Sequence, residues 1–195
     1  MKKNPIYTYW HYQEPPYEPN QYDCNYENEY LQNLYPDNEI NWEYLSANPK
    51  GLKLLKKNPE NIDWDCLCCN TSKKAIKLLE HNKVEINWYW LSQNSSAINL
   101  ILQHLDLVDW RQLCKNPHPV AVKLLEENSV EIDWSYISAN PSAIYLLEQY
   151  HYKLDWRWLC KNPNAGNLLA KNIETQFEKL DWQWLSENPC IFVDY

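Results

Sequence analysis

From Ile40 almost to the C-terminus the chain repeats one pattern: an apolar residue, Asp or Asn, Trp, two variable positions, Leu or Ile, then Ser or Cys. The Trp recurs as Trp42, Trp64, Trp88, Trp110, Trp134, Trp156 and Trp182, at spacings of 22, 24, 22, 24, 22 and 26 residues. A self-similar period in the twenties marks units that bury their apolar faces by stacking on one another. Six positions after each Trp stands an Asn, namely Asn48, Asn70, Asn94, Asn116, Asn140, Asn162 and Asn188, and Pro follows five of these seven.

Local rules predict two short helices in each unit. The Asp or Asn before the Trp is the N-cap of the first, its side-chain oxygen accepting from an otherwise orphaned backbone N–H. In the next turn Trp134, Ile137 and Ser138 fall on one face, at i, i+3 and i+4. Asn140 then caps the second helix, with Pro141 at its first position, where a missing N–H costs nothing. Ala143, Ile144 and Leu147 make its apolar stripe, with Leu146 beside it. Asn58, Asn82, Asn128 and Asn172 end this helix in four units, and Asn is the usual substitute for Gly in a left-handed C-cap. The expected fold class is therefore all-α, an α-solenoid of about six to seven short helix pairs of 22–24 residues each. Its expected structural core is the ladder of seven Trp, which on burial of ~150–250 Å² each contribute roughly 4–6 kcal/mol apiece. The seven Asn are its expected helix caps.

Four residues after each Trp the chain alternates Ser46, Cys68, Ser92, Cys114, Ser138, Cys160 and Ser186. Thiol and hydroxyl are near-isosteric, so this is a small buried site. The second helices should alternate too. The Leu pair comes eight and nine residues after the Asn in two Cys-type units (Leu78-Leu79, Leu124-Leu125), but six and seven after Asn140. Cys160 breaks the rule, with Leu168 six residues from Asn162 and a compensating insertion near Ile173–Lys179.

Outside the pattern, residues 1–24 form a Tyr/Pro-rich arm without helical or strand period, including Tyr7, Trp10, Pro15, Pro16 and Tyr17. Proline disfavours helix at its own and the preceding position, so the arm is expected to be extended or irregular. Tyr26, Tyr30, Leu31 and Leu34 fall at helical spacing, so residues 25–39 are read as an N-terminal cap, 40–188 as repeats and 189–195 as a C-terminal cap. A leucine-rich-repeat-like coil is the rival architecture. It would turn Glu43, Asp65, Arg111 and Arg157 inward on a strand and bury their charges.

Charge and chemistry narrow the function. A formal charge of −8 and a pI near 5.1 argue against a nucleic-acid or anionic-membrane partner. No run approaches the ~20 apolar residues needed to span a bilayer, and Met1-Lys2-Lys3-Asn4-Pro5 leads into no apolar signal core. Asp63, Asp109, Asp133, Asp155 and Asp181 invite an acid/base or metal reading, yet Asn41 and Asn87 fill the same slot, and an amide caps a helix but carries no proton. Cys66-Leu67-Cys68-Cys69 lacks a second ligand pair at zinc spacing. With Gly51 and Gly166 the only glycines, there is no phosphate loop. The expectation is a protein that is not an enzyme and binds neither metal nor cofactor.

Two positions after each Trp come Tyr44, Cys66, Trp90, Gln112, Tyr136, Trp158 and Trp184. The five aromatics form a row beside the core face, which either binds a partner or packs between neighbouring units. The unit Ile-Asp-Trp-x-x-Leu-Ser-x-Asn-Pro-x-Ala-Ile-x-Leu-Leu-x-x-Asn resembles the repeat of a group of proteins encoded by giant DNA viruses of algae and protists. The resemblance covers residues 40–190. It implies a viral origin and a helical repeat, and it brings no catalytic residues. The reading that follows is a protein–protein interaction scaffold located in host cytoplasm or virion. Candidate partner contacts are Tyr44, Trp90, Tyr136, Trp158 and Trp184, with Tyr7, Trp10 and Tyr17 of the arm. The alternative is a structural, capsid-associated component of the particle.

Overall fold

The computed structural model describes residues 40–128 and 132–191. Tyr7, Trp10 and Tyr17, the arm, the expected cap at 25–39 and residues 192–195 lie outside the described residues. Those described are helical, with no strand among them, and the fold is all-α. First helices carry odd numbers: α1 Trp42–Ala47, α3 Trp64–Cys68, α5 Trp88–Ser92, α7 Trp110–Leu113, α9 Trp134–Ser138, α11 Trp156–Leu159 and α13 Trp182–Glu187. Second helices carry even numbers: α2 Leu52–Leu55, α4 Lys73–His81, α6 Ile98–Gln103, α8 Pro119–Glu127, α10 Ile144–Gln149 and α12 Gly166–Gln176.

Each first helix starts on its Asn or Asp. Asp63 Oδ1 accepts from the Cys66 N–H at 2.7 Å, and Asp109 Oδ1 from that of Gln112 at 2.8 Å. Asn41, Asn87, Asp133, Asp155 and Asp181 cap in the same way. The first helices are only four to six residues long, too short to stand alone in water. Neighbours supply the remainder: α1 packs on α3, α3 on α5, α5 on α7 and α9 on α11.

The buried spine is not the Trp ladder. It is the aliphatic residue three positions later, Leu45, Leu67, Leu91, Leu113, Ile137, Leu159 and Leu185, together with the Ala and Leu/Ile of the second helices. Six Trp are half-buried on the flank of this cluster, and Trp182 is 44% exposed. The reason is helical geometry. Leu113 lies one turn on from the cap and points into the next helix layer, whereas the large indole of Trp110 at the helix start covers the edge of that layer.

The second helices stop on a backbone conformation that is not left-handed. No positive φ occurs among the described residues. Asn82 sits at φ −126° and ψ 54°, and Asn128 at φ −116° and ψ 52°. Their amides instead donate to the carbonyl four residues back, Asn82 to Leu78 and Asn128 to Leu124, both at 2.8 Å. Asn58 does the same to Leu54, and Asn172 does so inside α12, which runs on to Gln176. The expected left-handed caps are corrected to side-chain amides that bond a helix carbonyl, at Leu54 and Leu124 beside the backbone N–H of the same Asn.

Candidate functional site

The seven Asn after the first helices do more than close a turn. Each Oδ1 accepts the N–H two residues on, as Asn116 does from His118 at 2.9 Å. From Asn70 onward each Nδ2 also donates twice to the preceding unit. Asn70 reaches the Ser46 and Asn48 carbonyls, Asn94 those of Cys68 and Asn70, and Asn116 those of Ser92 and Asn94. Asn140, Asn162 and Asn188 continue the series, all twelve bonds lying between 2.7 and 3.1 Å. The side chains of Asn70, Asn116 and Asn162 are fully buried. Their expected place at the start of the second α-helices shifts: Asn48 and Asn188 are the C-caps of α1 and α13, and Asn94 caps the single 3-10 turn Ser95–Ala97 ahead of α6. From Asn48 to Asn162 the second helix starts three or four residues later, capped in two of the Cys-type units by Ser72 (α4) and His118 (α8). Asn is required because it alone among small side chains offers two donors and an acceptor without charge.

The Ser/Cys position is a second tie between units. Ser138 Oγ donates to the Trp134 carbonyl at 2.6 Å and accepts from the Asp155 N–H at 3.1 Å. Cys114 Sγ does both jobs, to the Trp110 carbonyl at 3.4 Å and from the Asp133 N–H at 3.3 Å. The site takes either residue because each has one proton to give and a lone pair to accept with. Burial holds these thiols protonated. It pushes Cys68 and Cys114 up to about 11, and Cys66 and Cys69 up to about 12, with the Asp63 carboxylate adding to the effect at Cys66. Among the described residues no cluster of His, Cys, Asp or Glu is arranged to hold a metal ion.

The alternation in spacing has a cause in the residue two after each Asn. In the units with longer second helices this side chain caps its own helix, Ser72 accepting from Ala75 N–H and His118 from Val120 N–H. In the shorter ones it reaches across instead, Ser96 to the Thr71 carbonyl ahead of α6 and Ser142 to that of Pro117 ahead of α10. The helix then begins one residue later. α4 and α8 span nine residues each, against six for α6 and α10. Asn164 takes the reaching role although its unit carries Cys160, which matches the irregular spacing there.

The aromatic row occupies the outer side of the first helices. Tyr44 is 54% exposed at one end, and Trp90 stands edge-on to Tyr89 at 4.9 Å. The row is interrupted by half-buried Cys66 and by Gln112, which is 2% exposed. It becomes continuous only at the C-terminal end, where Tyr136 meets Trp158 at 5.6 Å and Trp158 meets Trp184 at 5.4 Å between ring centroids. These three rings are half-buried, so the row both packs between units and presents an outer edge.

Four cations that sequence reasoning left out complete this face. Lys115 Nζ lies 4.1 Å from the Tyr136 ring centre and Lys161 Nζ 3.9 Å from that of Trp184. Both stand five positions after a Trp and cover the ring two positions after the next one. The Arg111 and Arg157 guanidinium groups sit 5.0 Å over the same two rings and bond Asp133 at 2.9 Å and Asp181 at 3.2 Å. The Asp133 carboxylate holds the Arg111 pKa up, and the Asp181 pKa is lowered by the Trp184 N–H it accepts from and by Arg157. Reading position five of one unit against position two of the next would have found the pair Lys115/Tyr136 from sequence. The same register sets Gln93 against Gln112, and Gln93 Nε2 and Gln112 Oε1 are both buried without a hydrogen-bond partner.

No family model, no curated protein and no solved structure matches the chain. Among the described residues no helix is long and apolar enough to cross a membrane.

Proposed function

We propose that this chain is a non-enzymatic interaction scaffold: an α-solenoid in which seven units stack in register and present the outer side of their first helices to a protein partner. The observation that carries the reading is the continuous Tyr136–Trp158–Trp184 row with its four cations. Large aromatic and Arg side chains held rigid at a surface are the groups that anchor protein–protein interfaces. The Asn ladder supports the stacked arrangement, because each rung satisfies buried carbonyls of one unit with donors of the next. In line with the resemblance to giant-virus repeats, the proposed setting of such a scaffold is the host cytoplasm or the virion. Nucleic acid, membrane and cofactors have no part in this reading.

The test compares tagged full-length chain with its Trp158→Ala and Lys161→Glu variants in native lysate of infected cells. Proteins recovered by the wild type and lost by both variants, with urea unfolding of Lys161→Glu unchanged, support the face. Recovery of capsid proteins in that set would make the partner the particle itself. An identical set from all three chains overturns the assignment of binding to this face.

A further inference from the structure

The charge of the chain is unevenly placed. Residues 11–39 contain seven acidic residues, Glu14, Glu18, Asp23, Glu27, Glu29, Asp37 and Glu39, and no Lys or Arg. That accounts for seven of the eight net negative charges. The same stretch carries six Tyr: Tyr12, Tyr17, Tyr22, Tyr26, Tyr30 and Tyr35. On the face described above, Asp133 and Asp181 already pair with Arg111 and Arg157, and the Lys115 and Lys161 ammonium groups stacked on its rings supply the complementary charge. The face gathers Arg111, Lys115, Arg157 and Lys161 around three aromatic rings, whereas the corresponding side of the first two units carries Glu43 and Asp65.

We propose that the acidic, Tyr-bearing segment 11–39 of this chain docks on its own Tyr136–Trp158–Trp184 face. Carboxylates of the segment pair with the Lys115 and Lys161 ammonium groups, each of which rests on a ring, and its Tyr rings add to the aromatic row. An ammonium held against a π face is partly desolvated and geometrically fixed, so a carboxylate meets it at lower ordering cost than on a free side chain. Reach is sufficient. A stretch of 29 residues spans up to roughly 95 Å when extended, whereas five steps between packed helices, from the first unit to the sixth, cover only about 40–50 Å at 8–10 Å each.

This inference rests on the reading of that face as a contact surface, and it adds a regulator: the chain occupies its own site, and a partner must displace residues 11–39 to bind. A photo-reactive benzoyl-phenylalanine replacing Tyr22 or Tyr30 in the full chain tests it, with cross-links located by peptide mass spectrometry. The expected result is intrachain cross-links to peptides holding Lys115, Tyr136, Trp158, Lys161 or Trp184. Their yield should fall roughly tenfold between ~0.1 M and ~1 M NaCl, as the screening length contracts from ~10 to ~3 Å. Lys161→Glu should lower the yield at the low salt concentration. Because the salt series uses the unsubstituted face, folding of the variant does not limit the test. Cross-links elsewhere on the chain, covalent dimers, or a yield indifferent to salt would each overturn the proposal. These outcomes are separate from loss of lysate partners by Trp158→Ala, so either idea can fail alone.

Discussion

Replacing Asn116 by Ala separates a ladder rung from a simple turn residue. Asn116 is fully buried; it donates to Ser92 O at 2.9 Å and Asn94 O at 3.1 Å, and accepts from His118 N–H at 2.9 Å. Asn94 O keeps a second donor, the Ala97 N–H at 3.1 Å, so truncation leaves two groups without the partner described for them, Ser92 O and His118 N. At ~1–3 kcal/mol for each unsatisfied buried group, and with a small cavity added, the loss should be about 3–5 kcal/mol. That is a large share of the ~5–15 kcal/mol typical of a domain. Asn48 is the control. Its Oδ1 accepts from Lys50 N–H at 2.9 Å, and among the described residues its Nδ2 has no acceptor, so Asn48→Ala should cost under ~1 kcal/mol. Urea unfolding followed by Trp fluorescence reads both. In a stack whose units contact only neighbours, breaking one rung should also lower the denaturant slope, because the two sides uncouple. Asn116→Asp sharpens the case, since it presents a carboxylate to two carbonyl oxygens. Its folded pKa is raised, so its stability should fall as pH rises from ~4 to ~7. Equal losses for Asn48→Ala and Asn116→Ala, with unchanged slope, would refute the ladder.

Cys114→Ser should be tolerated within ~1 kcal/mol, and Cys114→Ala should cost ~1–2 kcal/mol more, since only Ser keeps both the bond to the Trp110 carbonyl and the lone pair for the Asp133 N–H; thermal unfolding decides. The thiols of Cys66, Cys68, Cys69 and Cys114, pushed up to about 11–12, should resist an aromatic disulfide reagent at neutral pH. An unfolded thiol ionises near ~8.5, so folding stability should be full below that value and decline as pH rises toward 11–12, read by urea unfolding across alkaline pH. Gly51→Ala should destabilise by ~1–3 kcal/mol although the backbone there is right-handed, because an added Cβ would strike the Leu45 carbonyl and side chain; a stabilised variant in the same assay would contradict this.

What the sequence determined by itself was everything local. The Asp or Asn before each Trp caps a helix because its side chain meets an N–H two or three residues away, and such distances are set by neighbours in the chain. The all-α class and the two short helices per unit follow from the same short-range rules, and the Leu spacing marks the differing lengths of the second helices. The tertiary structure decided what depends on a neighbour 20 or more residues away. Trp looked like the spine because indole carries the most apolar surface, yet the aliphatic residue three positions on faces the next layer and the ring flanks it. Asn116 read as a cap because its Oδ1 does close a turn, but its two amide protons reach carbonyls 22 and 24 residues upstream. Lys115 and Lys161 carried no signal in the sequence, because only stacking lays them over rings of the following unit. A period reports that units repeat; only their register in space says which atom of one meets which atom of the next.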